Sequence, residues 1–199
     1  MIQYYDDLYL DSSIDHGVAR SMRNNPDIRE WCREHSDISM AQQLRWAEKI
    51  KDDPALKMFA IRALRTVAKG QYTGSVYKGG EPMVMKTIDE QFVQVGVCGL
   101  TSIDRQNRSA EFSCYIGQEY QRKGYARKAL VSLFKHGFDD WGFHRIWGET
   151  FDGNPALKLF QEIGMKKVGT HRQAYWKHGK FIDAHIIDIL AEEFNGDLR

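Results

Sequence analysis

The chain has 199 residues, of which 42% are hydrophobic and 28% charged, as expected for a globular protein with a substantial core. Its 28 basic and 27 acidic residues leave a formal net charge of +1, so no overall positive field attracts nucleic acid or anionic lipid. The length favours one large domain, residues 1–199, over two small ones.

The cysteines and the amino-terminal segment indicate the compartment. Cys32, Cys98 and Cys114 are widely spaced, without the grouping of a metal site or of a disulfide framework. We therefore expect reduced, mostly buried thiols. The first ten residues, MIQYYDDLYL, are acidic and carry neither a basic leader nor a long apolar run. We expect no signal peptide and no membrane span, and hence a cytoplasmic protein.

The first part of the chain is typical of a strand followed by helices. YYDDLYLDSS alternates weakly in hydrophobicity and is predicted to form a first strand. SIDHGVARSMRNNP predicts a short helix that ends near Pro26. DIREWCREH predicts a second helix, with Asp27 as N-cap and with Ile28, Trp31 and Cys32 at helical spacing.

A third helix and a strand follow. DISMAQQLRWAEKI places Ser39 and Gln42 at the spacing of a capping box. The predicted inner face of this helix consists of Leu44, Ala47 and Ile50. LKMFAIRAL is predicted to be a strand.

Residues 69–90 interrupt the pattern. They hold several glycines and a proline between short β-type runs. We interpret this segment as an extra hairpin or flap inserted between two core strands, with YKGGEP at its tip. Loops of this length usually have their own structure or a function.

The second half alternates strands and helices. FVQVGVCGLTSID and SAEFSCYI predict two strands, and in the second Glu111 and Cys114 fall on opposite faces. RKGYARKALVSLFKHGFDDWG predicts a helix, HRIWGETF a strand and NPALKLFQEIG a helix with Asn154 as N-cap and Gly164 at its end. The last part, MKKVGTHRQAYWKHGKFIDAHIIDIL, predicts two long strands joined at KHGK.

The start of the helix after SAEFSCYI is suited to binding an anion. A helix N-terminus presents free N–H groups and a positive dipole end. Gly124 allows close approach of a ligand, and positive charge comes from Arg122, Lys123 and Arg127. Neither the P-loop pattern nor the dinucleotide fingerprint GxGxxG is present. The motif alone fits both an ordinary helix start and a pyrophosphate site.

Several segments in order resemble one family. QRKGYA fits Q/R-x-x-G-x-G/A, the acetyl-CoA signature of the GNAT N-acetyltransferases, and AEFSCYIGQEYQRKGYARKAL resembles the RimJ/RimL branch. NPALKLFQEIGM resembles the family's Asn-containing helix, with Met165 in the usual Phe position. HRQAYWKHGKFIDAHIIDIL is similar to the closing hairpin. The resemblance is specific over residues 92–190 and weaker over 1–65, and the insertion at 69–90 departs from the family.

The resemblance implies a mixed α/β fold, a central sheet of about seven strands splayed in the middle with helices on both faces. It implies acetyl-CoA (coenzyme A) as cofactor, with pantetheine paired to main-chain groups of Tyr115 and Ile116. The implied cofactor-binding residues also include the pyrophosphate loop and two residues of the next helix: Gln121, Arg122, Lys123, Gly124, Tyr125, Ala126, Arg127, Asn154 and Lys158.

The same resemblance implies direct attack of an amine on the thioester. Glu111 aligns with a glutamate of many relatives and is our candidate base, although a solvated or salt-bridged strand glutamate is the plain alternative. An N–H near Ile116 is expected to stabilise the oxyanion. Phe160 stands where many members carry the general acid Tyr. Tyr175 or a water is then the candidate acid, or the thiolate leaves unassisted.

The remaining chemistry-bearing residues predict no metal site. His171, His178 and His185 lack ligand spacing and are expected to be surface or hairpin residues. Tryptophans near the amino-terminal helices are candidates to line the acceptor pocket. Acidic residues such as Glu111 and Asp183 favour a cationic amine.

The leading functional hypothesis is an N-acetyltransferase that acts on a small-molecule amine such as an amino sugar. A protein N-terminal (ribosomal-protein-type) acetyltransferase, with a peptide amine as acceptor, is the close alternative. Two further hypotheses are a non-catalytic acyl-CoA-binding sensor and an unrelated nucleotide-binding domain. The long carboxy-terminal strands offer an edge through which two copies can form a homodimer.

Overall fold

The computed structural model describes residues 1–64, 76–78, 81–83 and 92–196. Its strands and helices, in chain order, are β1 Ile2–Tyr5, β2 Leu8–Asp11, α1 His16–Asn24, α2 Pro26–Arg29, α3 Met40–Asp52, β3 Lys57–Leu64, β4 Val76–Lys78, β5 Glu81–Met83, β6 Phe92–Asp104, β7 Ser109–Ile116, α4 Tyr125–Asp139, β8 Arg145–Phe151, α5 Ala156–Glu162, β9 Lys166–Lys177 and β10 Lys180–Leu190. Short 3-10 helices lie at Gln118–Tyr120 and Ala191–Glu193.

One sheet of eight strands has the order β1-β2-β3-β6-β7-β8-β10-β9. Its neighbouring strands are antiparallel except for β7 and β8, which run parallel. These two strands pair only from Ser109 with Arg145 to Glu111 with Trp147, although both continue further. The sheet therefore splays open in its middle, as the family resemblance implies. We call the space between β7 and β8 beyond Glu111 and Trp147 the cleft.

Helices cover both faces of the sheet, as expected. On the α4–α5 face, the main hydrophobic core joins Phe112 of β7 to Phe134 of α4 and Phe160 of α5. On the α1–α3 face, a smaller cluster joins Ala19 of α1 to Val97 of β6, with Trp46 packed against it. Since strand side chains alternate between faces, consecutive residues of β7 and β8 point to opposite sides of the cleft.

Three predictions for the amino-terminal region are wrong. The first predicted strand is a hairpin of β1 and β2, because the polar turn between them interrupts the weak alternation. The second helix has only four residues and is capped by Asn25, whose side chain accepts from the Asp27 amide at 2.9 Å. Beyond α2, the carbonyls of Glu30 and Cys32 accept hydrogen bonds from Lys177. The helix therefore ends here, although the helical pattern of the sequence continues, because the carbonyls that follow it bond to Lys177 instead.

The third helix has the predicted capping box, and Ala47 and Ile50 of its predicted inner face do pack inward, whereas Leu44 does not. The Ser39 side chain accepts from the Gln42 amide, and the Gln42 side chain accepts from the Ser39 amide. Leu44 is 53% exposed, whereas Gln43 is 5% exposed and lies 3.1 Å from His16 Nδ1. The inner face of the helix therefore includes Gln43, through its polar contact with α1, in place of Leu44.

The later elements agree with the predictions. Asn154 Oδ1 accepts from the Ala156 amide at 2.9 Å and so satisfies a free N–H at the start of α5, and Gly164 follows that helix with φ of 97°. The β9–β10 hairpin turns at His178 and Gly179, which have φ of 50° and 74°.

Within the predicted insertion, β4 and β5 pair antiparallel, with Lys78 opposite Glu81. The centre of the predicted tip, residues 79–80, and the flanking residues 69–75 and 84–90 lie outside the described residues. No helix in the described part of the chain is long and apolar enough to cross a membrane.

Candidate active site

A cavity of about 920 Å³ occupies the cleft and continues under the amino-terminal helices. Its wall contains all six residues of β7 from Glu111 to Ile116. The predicted cofactor residues in its lining are Tyr115, Ile116, Gln121, Arg122, Ala126 and Asn154. Trp31 and Trp46 also line it, as the placement of tryptophans near the amino-terminal helices suggests.

The start of α4 has the geometry of an anion site. Arg122 and Gly124 have φ of 62° and 81°, and a side chain added at Gly124 would meet no atom within 4 Å. The first intrahelical bond there runs from the Lys128 amide to the Gly124 carbonyl, at 3.2 Å. The N–H groups of Tyr125, Ala126 and Arg127 therefore precede the helical bonding pattern and remain available for a ligand.

The main chain of β7 presents hydrogen-bonding groups to the cleft. The Gly117 amide donates to the Val95 carbonyl of β6 at 2.9 Å, so Gly117 faces β6. Because alternate residues of a strand direct their main-chain groups to opposite neighbours, those of Ile116 and Cys114 face the cleft. The Ile116 carbonyl accepts from Gln121 Nε2 at 3.1 Å, which ties the end of the strand to the loop before α4.

Two buried carboxylates meet on the α1–α3 side of the cleft. Glu111 projects from β7 and Glu149 from β8, and their side chains are 9% and 10% exposed. The Arg33 guanidinium bridges them: it donates to Glu111 Oε1, and its Nη2 lies 3.0 Å from Glu149 Oε2. Ser102 Oγ donates to the other Glu111 oxygen at 3.2 Å.

Glu149 links this pair to Tyr175. The Tyr175 hydroxyl donates to Glu149 Oε2 at 2.7 Å, and His171 Nδ1 lies 2.7 Å from Glu149 Oε1. The structure thus brings Tyr175 and Glu111, the two predicted catalytic residues, into one network, with Glu149 and Arg33 between them.

The network shifts the pKa of its members. Burial favours the neutral form of Glu149, but the Tyr175 hydrogen bond and the Arg33 charge outweigh it and hold the carboxyl pKa below its ordinary value. Burial and the hydrogen bond to Glu149 raise the pKa of Tyr175. Burial opposes the charge of Arg33, yet contacts with Glu111 and Glu149 raise the pKa of the guanidinium. The site therefore favours an anionic Glu149 beside a firmly charged guanidinium.

The α4–α5 side of the cleft is apolar. The Phe160 ring meets the Phe112 ring edge-on, with centroids 5.1 Å apart, so the position expected for a tyrosine carries no hydroxyl. Thr150 also lines the cavity and is 3% exposed. Its hydroxyl has no hydrogen-bond partner among the described residues. Burial raises the pKa of Cys114 to about 12, consistent with a packed thiol rather than a nucleophile.

Five predicted cofactor residues lie outside the cavity lining: Lys123, Gly124, Tyr125, Arg127 and Lys158. The Arg127 guanidinium is held by Glu162, and Lys158 is 86% exposed and 4.0 Å from the same carboxylate. Both cations therefore lie next to Glu162, a residue of α5, rather than in the cavity. Lys123 lies 5.7 Å from the centre of the Tyr120 ring.

The predictions for Asp183 and for His185 need correction. Asp183 is not part of the cavity lining, and its Oδ1 accepts from the Gln173 amide at 2.8 Å. His171 belongs to the site network, and His185 is 7% exposed and lies 3.1 Å from Asp152. His171 and His178 are both exposed residues of the β9–β10 hairpin, as predicted. In the described part of the chain, no three His, Cys, Asp or Glu side chains form a group that could hold a metal ion.

Sequence reasoning missed Arg33, Glu149, Ser102 and Thr150. Arg33 and Ser102 lie in irregular or bulged segments, where the sequence pattern does not indicate which way a side chain points. Glu149 stands two residues beyond the last β7–β8 pair. The alternation of side chains along β8 was the available signal. Ile146 is buried in the main core, so Glu149, three residues later, faces the opposite side, which is that of Glu111.

The comparison with known families decides the assignment. The profile of the acetyltransferase (GNAT) domain matches residues 12–166. The chain belongs to the GNAT acetyltransferase family. The match covers α1 to the start of β9, and therefore both walls of the cleft.

Individual relatives are more distant. An uncharacterised N-acetyltransferase p20 of Bacillus licheniformis is 30% identical over 115 residues, 57% of this chain and 63% of the relative. A spermidine N(1)-acetyltransferase of Vibrio cholerae is 29% identical over 53% of this chain and 62% of the relative. A putative ribosomal N-acetyltransferase, YdaF of Bacillus subtilis, is 26% identical over 51% and 56%. Each match spans less than two thirds of the relative's length.

Among solved structures, the V. cholerae spermidine N-acetyltransferase in complex with CoA and spermine superimposes with a TM-score of 0.78. The alignment covers 95% of this chain and 98% of that chain at 21% identity. At this identity the likeness establishes the fold. An intermediate-state structure of the same V. cholerae enzyme is described as dodecameric.

Proposed function

We propose that the protein is an acetyl-CoA-dependent N-acetyltransferase whose acceptor is a small, cationic primary amine. The observation that carries the proposal is the cleft, in which an anion-binding helix start lies at one end and a buried carboxylate pair lies beside the exposed strand edge. Family membership supports the choice of acetyl-CoA. Acetyl-CoA supplies the activated acetyl group, and the chain supplies binding, charge and proton transfer.

The cofactor would be held by main-chain groups and one cation. The N–H groups at the start of α4 and the Arg122 side chain suit the pyrophosphate. The cleft-facing groups of Cys114 and Ile116 suit the amides of the pantetheine arm, as in the addition of a strand to a sheet edge. Asn154 is positioned at the opposite wall. Arg127 and Lys158, which pair with Glu162, contribute charge at a distance.

The carboxylates suit the acceptor. In a ternary complex, Glu111 would remove a proton from the acceptor's ammonium group, directly or through a water, and so give the neutral amine that attacks the thioester. A cleft-facing N–H of β7 would stabilise the oxyanion. Tyr175 is the candidate acid, but its hydroxyl already donates to Glu149, and its raised pKa fits a group that keeps its proton. An unassisted thiolate is the alternative.

The cavity favours a small cationic acceptor. Asp27, Glu34, Glu111 and Glu149 line it together with Trp31 and Trp46, and carboxylates with aromatic faces attract ammonium groups. The two spermidine acetyltransferases of V. cholerae and Escherichia coli among the relatives support a small amine over a peptide. An amino sugar remains our first named candidate, beside polyamines, and the similarity to YdaF keeps the protein N-terminus as an alternative acceptor.

We also propose that the chain forms a single domain and that two copies pair into a homodimer.

A non-catalytic acyl-CoA sensor is the second candidate. The observation that favours it is Phe160, which lines the cavity where a hydroxyl is common in the family. The sensor would bind acetyl-CoA without turnover.

The deciding experiment is release of free thiol from acetyl-CoA. It is followed with amino sugars, sugar nucleotides, polyamines, amino acids and amino-terminal peptides, for the wild type and for Glu111→Gln. We expect acceptor-dependent release with a small amine, and a fall of about 10²–10⁴-fold in kcat/KM for Glu111→Gln, the range of general base catalysis. The Glu48→Gln variant, which removes a surface carboxylate paired with Lys51 outside the cavity lining, is the matched control and should retain full activity.

Other outcomes separate the alternatives. Binding of acetyl-CoA without turnover on any acceptor would favour the sensor. Turnover only with peptides would select the protein acetyltransferase. Full activity of Glu111→Gln would remove its role as base.

A further inference from the structure

Arg33 is the cation that neutralises the carboxylate pair of the cleft. It lies between α2 and α3, and its side chain is 48% exposed, whereas those of Glu111 and Glu149 are 9% and 10% exposed. The guanidinium therefore has one flank in solvent while the carboxylates have almost none. Buried carboxylates are costly without a positive partner, so removal of Arg33 from this position favours binding of another cation there.

Both oxygens of the Glu111 carboxylate already accept a hydrogen bond from a side chain. Arg33 Nη2 donates to Oε1, and Ser102 Oγ donates to Oε2 at 3.2 Å. An ammonium group that lies between Glu111 and Glu149 competes with these donors for the same space. Arg33 is the easier one to displace, because its side chain is 48% exposed and the ammonium brings the same charge to replace it.

The backbone on either side of Arg33 is held in place. Lys177 Nζ donates to the Cys32 carbonyl at 2.9 Å, and Arg23 Nη2 donates to the Glu34 carbonyl at 2.8 Å. A movement of the whole segment would break both bonds. Rotation of the long Arg33 side chain breaks neither, so exchange of cations requires only side-chain motion.

We propose that Arg33 is a placeholder for the acceptor: its guanidinium occupies the position that the acceptor's ammonium group takes between Glu111 and Glu149. The inference rests on the proposed function and specifies it further. The acceptor enters as a cation, with a proton still to lose, and exchanges for Arg33 without leaving either carboxylate unpaired. Arg33 thereby sets the affinity for the acceptor and selects against neutral amines.

The first test replaces the placeholder by a small ion and needs no catalysis. Arg33→Ala is titrated with methylammonium and methylguanidinium chloride at constant ionic strength, and thermal unfolding is recorded. We expect a saturable rise in Tm of about 2–4 °C, which is absent in the wild type and in the double variant Arg33→Ala/Glu149→Gln. The matched control is Arg29→Ala, which removes an ion pair with Asp37 in the same segment but outside the cavity lining. An equal rise in Arg29→Ala, or none in Arg33→Ala, overturns the proposal.

The second test uses the acceptor found by the thiol-release assay. We expect Arg33→Ala to lower the KM for the acceptor by about fivefold, equivalent to about 1 kcal/mol, with the KM for acetyl-CoA unchanged. A raised acceptor KM would show that Arg33 binds the acceptor and would overturn the proposal. Should Arg33→Ala not fold, Arg33→Lys is used, which keeps the charge but loses the planar fork of the guanidinium. A smaller fall in the KM for the acceptor is then expected.

The two tests separate this inference from the proposed function. Small-ion binding to Arg33→Ala in a protein that acetylates nothing would sustain the cation site and reject the enzyme. Turnover in a protein whose Arg33→Ala variant binds no small cation would do the reverse.

Discussion

The two walls of the cleft stabilise their side chains by different interactions. On the α1–α3 side, Glu111 and Glu149 are buried and held by polar partners, chief among them Arg33. On the α4–α5 side, the rings of Phe112 and Phe160 meet edge-on, and the Thr150 hydroxyl has no partner among the described residues. One wall is organised by charge and the other by packing.

This difference shows how a splayed sheet can serve two substrates. Close packing resists change of shape, so the apolar wall keeps the cleft open and fixed in width. On the charged wall, the Arg33 side chain is 48% exposed, so it can move without disturbing packed neighbours. The charged wall can therefore accept a cationic ligand without repacking.

The largest expected effect tests the apolar wall. Phe112→Ala should lower the free energy of unfolding by about 3–4 kcal/mol, the usual cost of emptying a buried aromatic site, because its ring contacts Phe134 and Phe160 and covers Gly148. The measurement is urea unfolding followed by circular dichroism. Phe181→Ala, at a side chain 59% exposed, should cost less than about 1 kcal/mol. Equal costs for both variants would contradict a wall organised by packing.

A smaller effect tests the charged wall. Glu149→Gln should lower the free energy of unfolding by about 1–2 kcal/mol at pH 7, because the carboxylate loses its charge toward Arg33 and a charge-assisted bond to Tyr175. The native pKa of Glu149 lies below its ordinary value, which is about 4.3 in an unfolded chain. Its contribution is therefore fully present above that value and is lost as the pH falls through the native pKa.

Urea unfolding at pH 7 and at pH 3.5 measures this dependence. The difference between wild type and Glu149→Gln should shrink at the lower pH. The control Glu162→Gln, at a surface ion pair, should change stability by less than about 0.5 kcal/mol. A difference that stays constant between the two pH values would show that charge does not organise this wall.

The smallest expected effect tests the Thr150 hydroxyl on the apolar wall. Thr150→Val keeps the shape of the side chain and removes a buried hydroxyl without a described partner. We expect a gain of about 1 kcal/mol in the free energy of unfolding. Thr150→Ser, which keeps the hydroxyl and removes the methyl, should instead destabilise. A loss of stability in Thr150→Val would reveal that the hydroxyl is hydrogen-bonded in solution.

Much of the site was predictable because it depends on local sequence. The start of α4 needs a glycine with positive φ and cations nearby, and QRKGYA supplies both within six residues. The cap of α5 by Asn154 and the alternation of β7, which places Glu111 opposite Cys114, are equally local. These features follow from dihedral preferences and strand periodicity, so the residues themselves carry the signal.

The errors have a common physical origin in contacts between distant segments. Gln43 rather than Leu44 is buried on α3 because His16 of α1 lies against it. Arg127 pairs with Glu162, 35 residues away, rather than lining the cavity. In both cases a polar partner from another element changed the outcome of a correct local pattern.

By itself the sequence determined the order of most later strands and helices and the glycine-led start of α4, since these depend on neighbours within one or two turns of chain. The choice of Glu111 as candidate base came from the family resemblance and stays a prediction. Only the tertiary structure decided that Glu149 and Arg33 join Glu111. Glu149 comes from the neighbouring strand past the last backbone pair, and Arg33 from a segment 78 residues earlier. Burial makes the pairing necessary, because two carboxylates removed from water require a cation, and the fold alone determines which cation reaches them.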